Sequence, residues 1–164
     1  MKHYDEWSNG IRPKIPEGKY LVYCIEAFYG VVMFRGKPLK KALLTFNIIK
    51  GDYKDTHLPM FLRLPWDDPR PQYLSEGTVP RASKYFTSWM LANELVHPAR
   101  LRLQEMAVAR FVNKLFCGYV TDTKSKYEMD DEKPTELQYS KINELIRLVT
   151  NAREAATCVN TPMG

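Results

Sequence analysis

The stretch 42-ALLTFNIIKGDYKDTHLPMFLRL-64 constrains this chain more than any other part of it. Two runs alternate with a period of two on either side of the turn residues Gly51 to Asp55. Ala42, Leu44, Phe46 and Ile48 fall on one face and Leu43, Thr45, Asn47 and Ile49 on the other. Across the turn, Leu58, Met60, Leu62 and Leu64 oppose His57, Pro59, Phe61 and Arg63. That period belongs to strands, so the pattern predicts an antiparallel hairpin whose apolar face must be covered by the rest of the domain. Leu44, Phe46, Ile48, Leu58, Met60, Leu62 and Leu64 are the predicted core. The second face is chemically mixed, and Pro59 marks an edge strand or a bulge.

The flanking segments extend the same plan. Residues 1–18, with Gly10, Pro13, Pro16 and Gly18, read as an N-terminal arm, and 19-KYLVYCIEAF-28 as a long first strand, broken or bulged at Gly30. The segment 65-PWDDPRPQYLSEGTVPR-81 is a proline-rich loop. Ser83 caps a predicted helix over 84-KYFTSWMLANEL-95, with Trp89 on its buried side, and Leu103, Met106, Ala107 and Phe111 suggest a second short helix in 101–113. A fourth strand follows at 114-KLFCGYVTDTK-124, then an acidic tip at 125-SKYEMDDEKPTE-136, with Leu137 to Tyr139 as a fifth strand. Ile142, Leu145, Ile146 and Val149 lie at helical spacing and predict a C-terminal helix near 140–155. The boundaries expected are an arm at 1–18, one domain at 19–155 and a polar tail at 156–164.

Composition excludes several classes. A chain of 164 residues, 45% of them hydrophobic, can bury one real core and is not a disordered polymer. Its net charge of +5 and pI near 9.0 permit a polyanionic partner without requiring one. Cys24, Cys117 and Cys158 are odd in number and far apart, which argues against a disulfide framework or a zinc site and suits a reducing cytoplasm. The polar N-terminus has no signal-peptide pattern, and no apolar run reaches the length of a membrane span.

Three strands, a helix, further strands and a terminal helix are the order of an OB-fold. The expected class is therefore mostly β with α (α+β): an OB-like five-stranded Greek-key barrel with a helical insertion between strands 3 and 4 and a C-terminal helix. An α+β sandwich of another topology has the same element order. The pieces 17-EGKYLVYCIEA-27, 42-ALLTFNIIKGDYKDTHLPMFLRL-64, 84-KYFTSWMLANE-94, 111-FVNKLFCGYVTDTK-124 and 139-YSKINELI-146 resemble single-stranded-DNA-binding OB proteins of phages, plasmids and integrative elements. The resemblance implies non-catalytic binding of single-stranded nucleic acid, DNA before RNA, in a bacterial cytoplasm. It also implies work beside replication or recombination proteins and allows a homo-oligomer. Housekeeping single-strand binders end in an acidic recruiting tail, whereas this chain ends TCVNTPMG, so recruitment by that route is not expected.

The residues offer a matching chemistry. Single-strand binders pair a cationic track with aromatic platforms for bases. Arg35, Lys37, Lys40 and Lys41, read as the loop between strands 1 and 2, would supply the track. Phe61 and Arg63 on strand 3, joined by Tyr23 and Tyr119, would supply the platform. For each aromatic the competing role is packing, and Trp66, between prolines, serves either to stack on a base or to plug the barrel. Catalysis is not expected: Asp67 and Asp68 point apart in an extended segment, His3, His57 and His97 share no catalytic spacing, and no phosphate-binding glycine loop is present. Neither a metal nor a cofactor is called for. The alternative function is an OB-like adaptor or inhibitor that meets a protein through Asp130, Asp131 and Glu132 and the helix around Tyr85, Phe86 and Trp89.

Overall fold

The computed structural model describes residues 13–34, 36–64, 77–122 and 139–158. Five antiparallel strands form one sheet in the order β3-β2-β1-β4-β5. They are β1 (Gly18–Phe34), β2 (Lys37–Ile48), β3 (His57–Arg63), β4 (Leu115–Asp122) and β5 (Ser140–Leu148). Every neighbouring pair is antiparallel, so the edge strands β3 and β5 run in the same direction. They also touch, although the sheet is not closed by hydrogen bonds between them. Among the described residues, no helix is long and apolar enough to cross a membrane.

Between β3 and β4 the chain lays α1 (Lys84–Ala92) and a 3-10 turn (Val108–Phe111) over one face of the sheet. Ser83 begins α1 as its sequence suggested, its Oγ accepting from the Phe86 amide at 3.1 Å. Tyr85, Trp89 and Met90 are buried against Leu103, Met106, Val108 and Phe111. Three side chains pin the loop before the 3-10 turn: Tyr85 donates to the Met106 carbonyl, Trp89 Nε1 donates to the Ala107 carbonyl at 3.0 Å, and Tyr29 Oη accepts from the Val108 amide at 2.9 Å. The second short helix expected in 101–113 is present only as the 3-10 segment Val108–Phe111, and Leu103, Met106 and Phe111 of its stripe are buried. Ala107, placed on its apolar stripe by the sequence, is exposed.

The hairpin register follows the alternation. Leu44 opposes Met60, Phe46 opposes Leu58 and Ala42 opposes Leu62. All seven residues expected in the core are buried there, alongside an edge-to-face pair of Phe46 and Phe116 with centroids 6.1 Å apart. The first strand is bulged, but at Ile25, between Cys24 and Glu26, rather than at Gly30.

Two further expectations fail. The apolar stripe at Ile142, Leu145, Ile146 and Val149 belongs mainly to strand β5, and the C-terminal helix α2 is only Ala152–Thr157. The cysteine reading fails as well. Cys117 and Cys158 form a disulfide with Cα atoms 5.6 Å apart, within the usual range. It ties the end of α2 to the sheet's other face over a small second cluster of Leu21, Cys117, Val149 and Cys158. The cysteines therefore no longer argue for a reducing compartment. Cys24 alone stays free, buried in the main core, where desolvation pushes its thiol up to about 12.

Candidate nucleic-acid interface

The outer face of β1, β2 and β3 is built in rungs, because residues paired across neighbouring strands project to the same side. Their order is Arg63–Lys41–Gly30, then Phe61–Leu43–Phe28, then Pro59–Thr45–Glu26, then His57–Asn47–Tyr23. The bulge at Ile25 creates this alignment. Without the extra residue Glu26 and Phe28 would lie on the core side with Val22 and Cys24. Sequence alternation alone does not locate that residue, so it puts Leu43 on the outer face with Thr45 and Asn47 but does not predict Phe28 or Gly30 beside it.

The first two rungs carry the chemistry. Lys41 and Arg63 are direct cross-strand partners, and Lys41 Nζ stands 5.8 Å from the centroid of the Phe61 ring. Burial, and after it the charge of Arg63, holds the Lys41 ammonium below its ordinary pKa of 10.5. Among the described residues neither cation forms an ion pair with a carboxylate. Phe61 and Phe28 are half-buried on either side of Leu43, which is 1% exposed. A Cβ at Gly30 would come within 3.0 Å of Leu43 Cδ1, so glycine there makes room for the leucine beside the cationic rung. Glu26 sits two rungs from Lys41, where its charge disfavours a phosphate. The positive end of this face is thus the Lys41–Arg63 rung, with the two phenylalanines beside it and the acid Glu26 beyond them.

The other candidates scatter. Lys40 is not in a loop: it is in β2, on the core face opposite Val31, and only 1% exposed, so it leaves the phosphate track. The backbone of Lys37 also belongs to β2, opposite Phe34, which reduces the expected loop to the two residues Arg35 and Gly36, with Gly36 at φ 74°. Tyr23 shares the outer face but lies at its far end, its hydroxyl donating to Asn113 Oδ1 at 3.0 Å. Tyr119 pairs with Lys19 and Glu144 on β4, which β1 and β2 separate in the sheet from Phe61 on β3. Tyr85 and Trp89, offered as an adaptor surface, are core residues, and Phe86 is half-buried. Arg35, Trp66, Asp67, Asp68, Asp130, Asp131 and Glu132 lie outside the described residues. Set against family models, curated proteins and solved structures, the chain matches none of them.

The cationic rung has a measurable cost. Burial of the Lys41 ammonium and the like charge opposite it are both destabilising, so Lys41→Met should stabilise the protein by about 0.2–1 kcal/mol. The sign with pH is fixed. The penalty is complete while Lys41 is charged in both states and is relieved as pH rises through its lowered folded pKa toward 10.5. The stability gap between the variant and the parent should therefore narrow with rising pH in urea titrations. A gap that widens would show that neither burial nor the charge of Arg63 penalises the Lys41 ammonium in the fold.

Proposed function

We propose that the sheet is a partly open OB-type barrel and that its β1–β3 outer face binds single-stranded nucleic acid, DNA before RNA, without catalysis. The supports for the fold are five antiparallel strands, contact between like-directed β3 and β5, and the helical insertion between β3 and β4. The observation that carries the function is the Lys41–Arg63 pair beside half-exposed Phe61. Two cations directly opposed on a sheet face repel each other in the free state. A phosphate at that rung neutralises the repulsion, and the adjoining ring offers a sequence-tolerant platform for the next base. Together with the resemblance to mobile-element proteins, the site suits replication, recombination or transfer of such an element in a bacterial cytoplasm.

Fluorescence anisotropy with labelled oligo(dT), its duplex and an RNA counterpart tests this reading. Oligo(dT) should bind more tightly than duplex, with affinity falling as salt rises. Removing Lys41 and Arg63 together should flatten the plot of log affinity against log salt by about 0.7 for each phosphate that the protein ceases to neutralise. An unchanged slope in the double variant would move the phosphate track elsewhere. No binding of any oligonucleotide at low salt would abandon the function.

A further inference from the structure

The other side of the molecule carries a feature unrelated to this face. At its C-terminus α1 stops in an unusual way. The Leu95 amide reaches back to the Met90 carbonyl at 2.7 Å and the Glu94 amide to the Leu91 carbonyl at 3.2 Å, the hydrogen bonding of a Schellman cap. Such a cap ordinarily puts glycine at the left-handed position and folds the next apolar residue onto the helix. Here the left-handed position is Glu94 at φ 55°, and Leu95 follows at φ 63°. Each is a non-glycine residue in a disfavoured conformation. Leu95 does not fold back: it is 66% exposed, and Val96 beside it is 61% exposed.

The tip is also clamped. Asn93 Nδ2 donates to the Val96 carbonyl at 2.7 Å, and Arg110 Nε donates to Asn93 Oδ1 at 2.6 Å. The same Asn93 and Arg110, with Trp89, Pro98, Glu105 and Ala109, line a shallow cleft of ≈ 440 Å³ directly beside the tip. An apolar protrusion and a cavity therefore stand next to each other on one surface, joined by shared residues. The charges are mixed in the same way, with Glu94 at the tip and Glu105 and Arg110 at the cleft.

We propose that this surface is a two-fold interface between copies of the chain, in which Leu95 and Val96 of each copy occupy the cleft of the other. A two-fold contact uses one patch twice, so it requires the protrusion and its receptor side by side on the same molecule. The exchange buries both aliphatic side chains, brings acid at the tip toward Arg110 of the opposite cleft, and gives the strained cap a use. The cleft is far larger than an isobutyl group. The nucleic-acid face, across the sheet, stays open.

Sedimentation velocity over a broad concentration range tests the proposal. The parent should move from monomer toward dimer as concentration rises. Leu95→Asp with Val96→Asp should stay monomeric at every concentration, with an unchanged circular dichroism spectrum, because both positions face solvent. A parent that is monomeric throughout, or a double variant that still dimerises, overturns the interface. A second variant pins the geometry: Leu95→Cys with Ala109→Cys, oxidised at the concentration where the parent associates, should yield a covalent dimer on a non-reducing gel. Buried Cys24, with its raised thiol pKa, and the paired Cys117 and Cys158 do not compete. Failure to link between molecules would likewise overturn it.

Discussion

Reducing the Cys117–Cys158 disulfide should lower the unfolding free energy by up to about 4 kcal/mol, the loop-closure value for a bridge of this span. The two cysteines are 41 residues apart in sequence, and the loop they close contains nearly all of β4 and the whole of β5 and α2. The local structure adds little to resist release. At six residues α2 is too short to be stable by itself, and none of its residues is buried. Its other ties include the Asn151 cap, which accepts from the Glu154 amide at 2.8 Å, and the Glu154 carboxylate, which accepts from Thr150 and Asn151. Arg147 donates to the Glu154 carbonyl at 3.3 Å and to Thr157 Oγ1, and Ala155 packs partly on the small cluster. Urea unfolding with and without a phosphine reductant reads the loss as a shift in midpoint. Cys158→Ser should reproduce the reduced value and add nothing to it under reductant. Equal midpoints in both conditions would show that β5 and α2 are held by their packing alone.

That bridge was hidden in the sequence for a physical reason. Cysteine spacing reports a framework only when several bridges crowd a short chain, and here a single pair depends on which way β4 faces. Cys117 points to the outer side because Leu21 and Arg147 flank it in register. Cys158 arrives there only because the chain turns back after β5. The strand β5 was hidden for a related reason. Its pairing with β4 shifts register twice, so Ile142 opposes Val120, Leu145 opposes Gly118 and Leu148 opposes Phe116. One extra residue at each shift turns an inward repeat of two into a repeat of three, which imitates the stripe of a helix. Gly118 accepts this crowding: a Cβ there would meet Val22 Cγ2 at 3.2 Å and Ile142 Cγ2 at 3.4 Å.

The hairpin of β2 and β3 was legible because its alternation is unbroken and one face is wholly apolar, so a one-residue slip would expose every leucine. The same alternation put Phe61 and Arg63 on the outer face. It could not say what stood beside them, since that depends on the bulge in β1 and on how early β2 begins. Lys40 shows the second difficulty. Surrounded by Lys37, Lys41 and Pro38 it reads as solvated loop, yet the hairpin turn is so tight that residue 40 is already in the ladder and on the core side. Of four cations assigned to one loop, Lys41 reaches the site through its strand.

Phe61→Ala should reduce single-strand affinity by about 1–3 kcal/mol, the value of one stacked base. Full burial of a phenylalanine would make the same change cost about 3–5 kcal/mol of stability, and the structure places Phe61 between these limits. It is half-buried, covering Leu43 from one side while Phe28 covers it from the other, with Lys41 Nζ near its face. Alanine therefore removes a cover as well as a platform, and some loss of stability is expected beside the loss of affinity. Phe61→Leu separates the two roles, because leucine keeps much of the apolar cover over Leu43 and has no π-face. Its unfolding midpoint should lie near the parent's, while its affinity for oligo(dT), measured on the folded protein, should fall nearly as far as alanine's. If Phe61→Leu binds as the parent does, bases do not stack on this ring. The Lys41–Arg63 rung would then act on phosphate alone, and binding would show the salt dependence of a cationic patch with no contribution from the aromatic row.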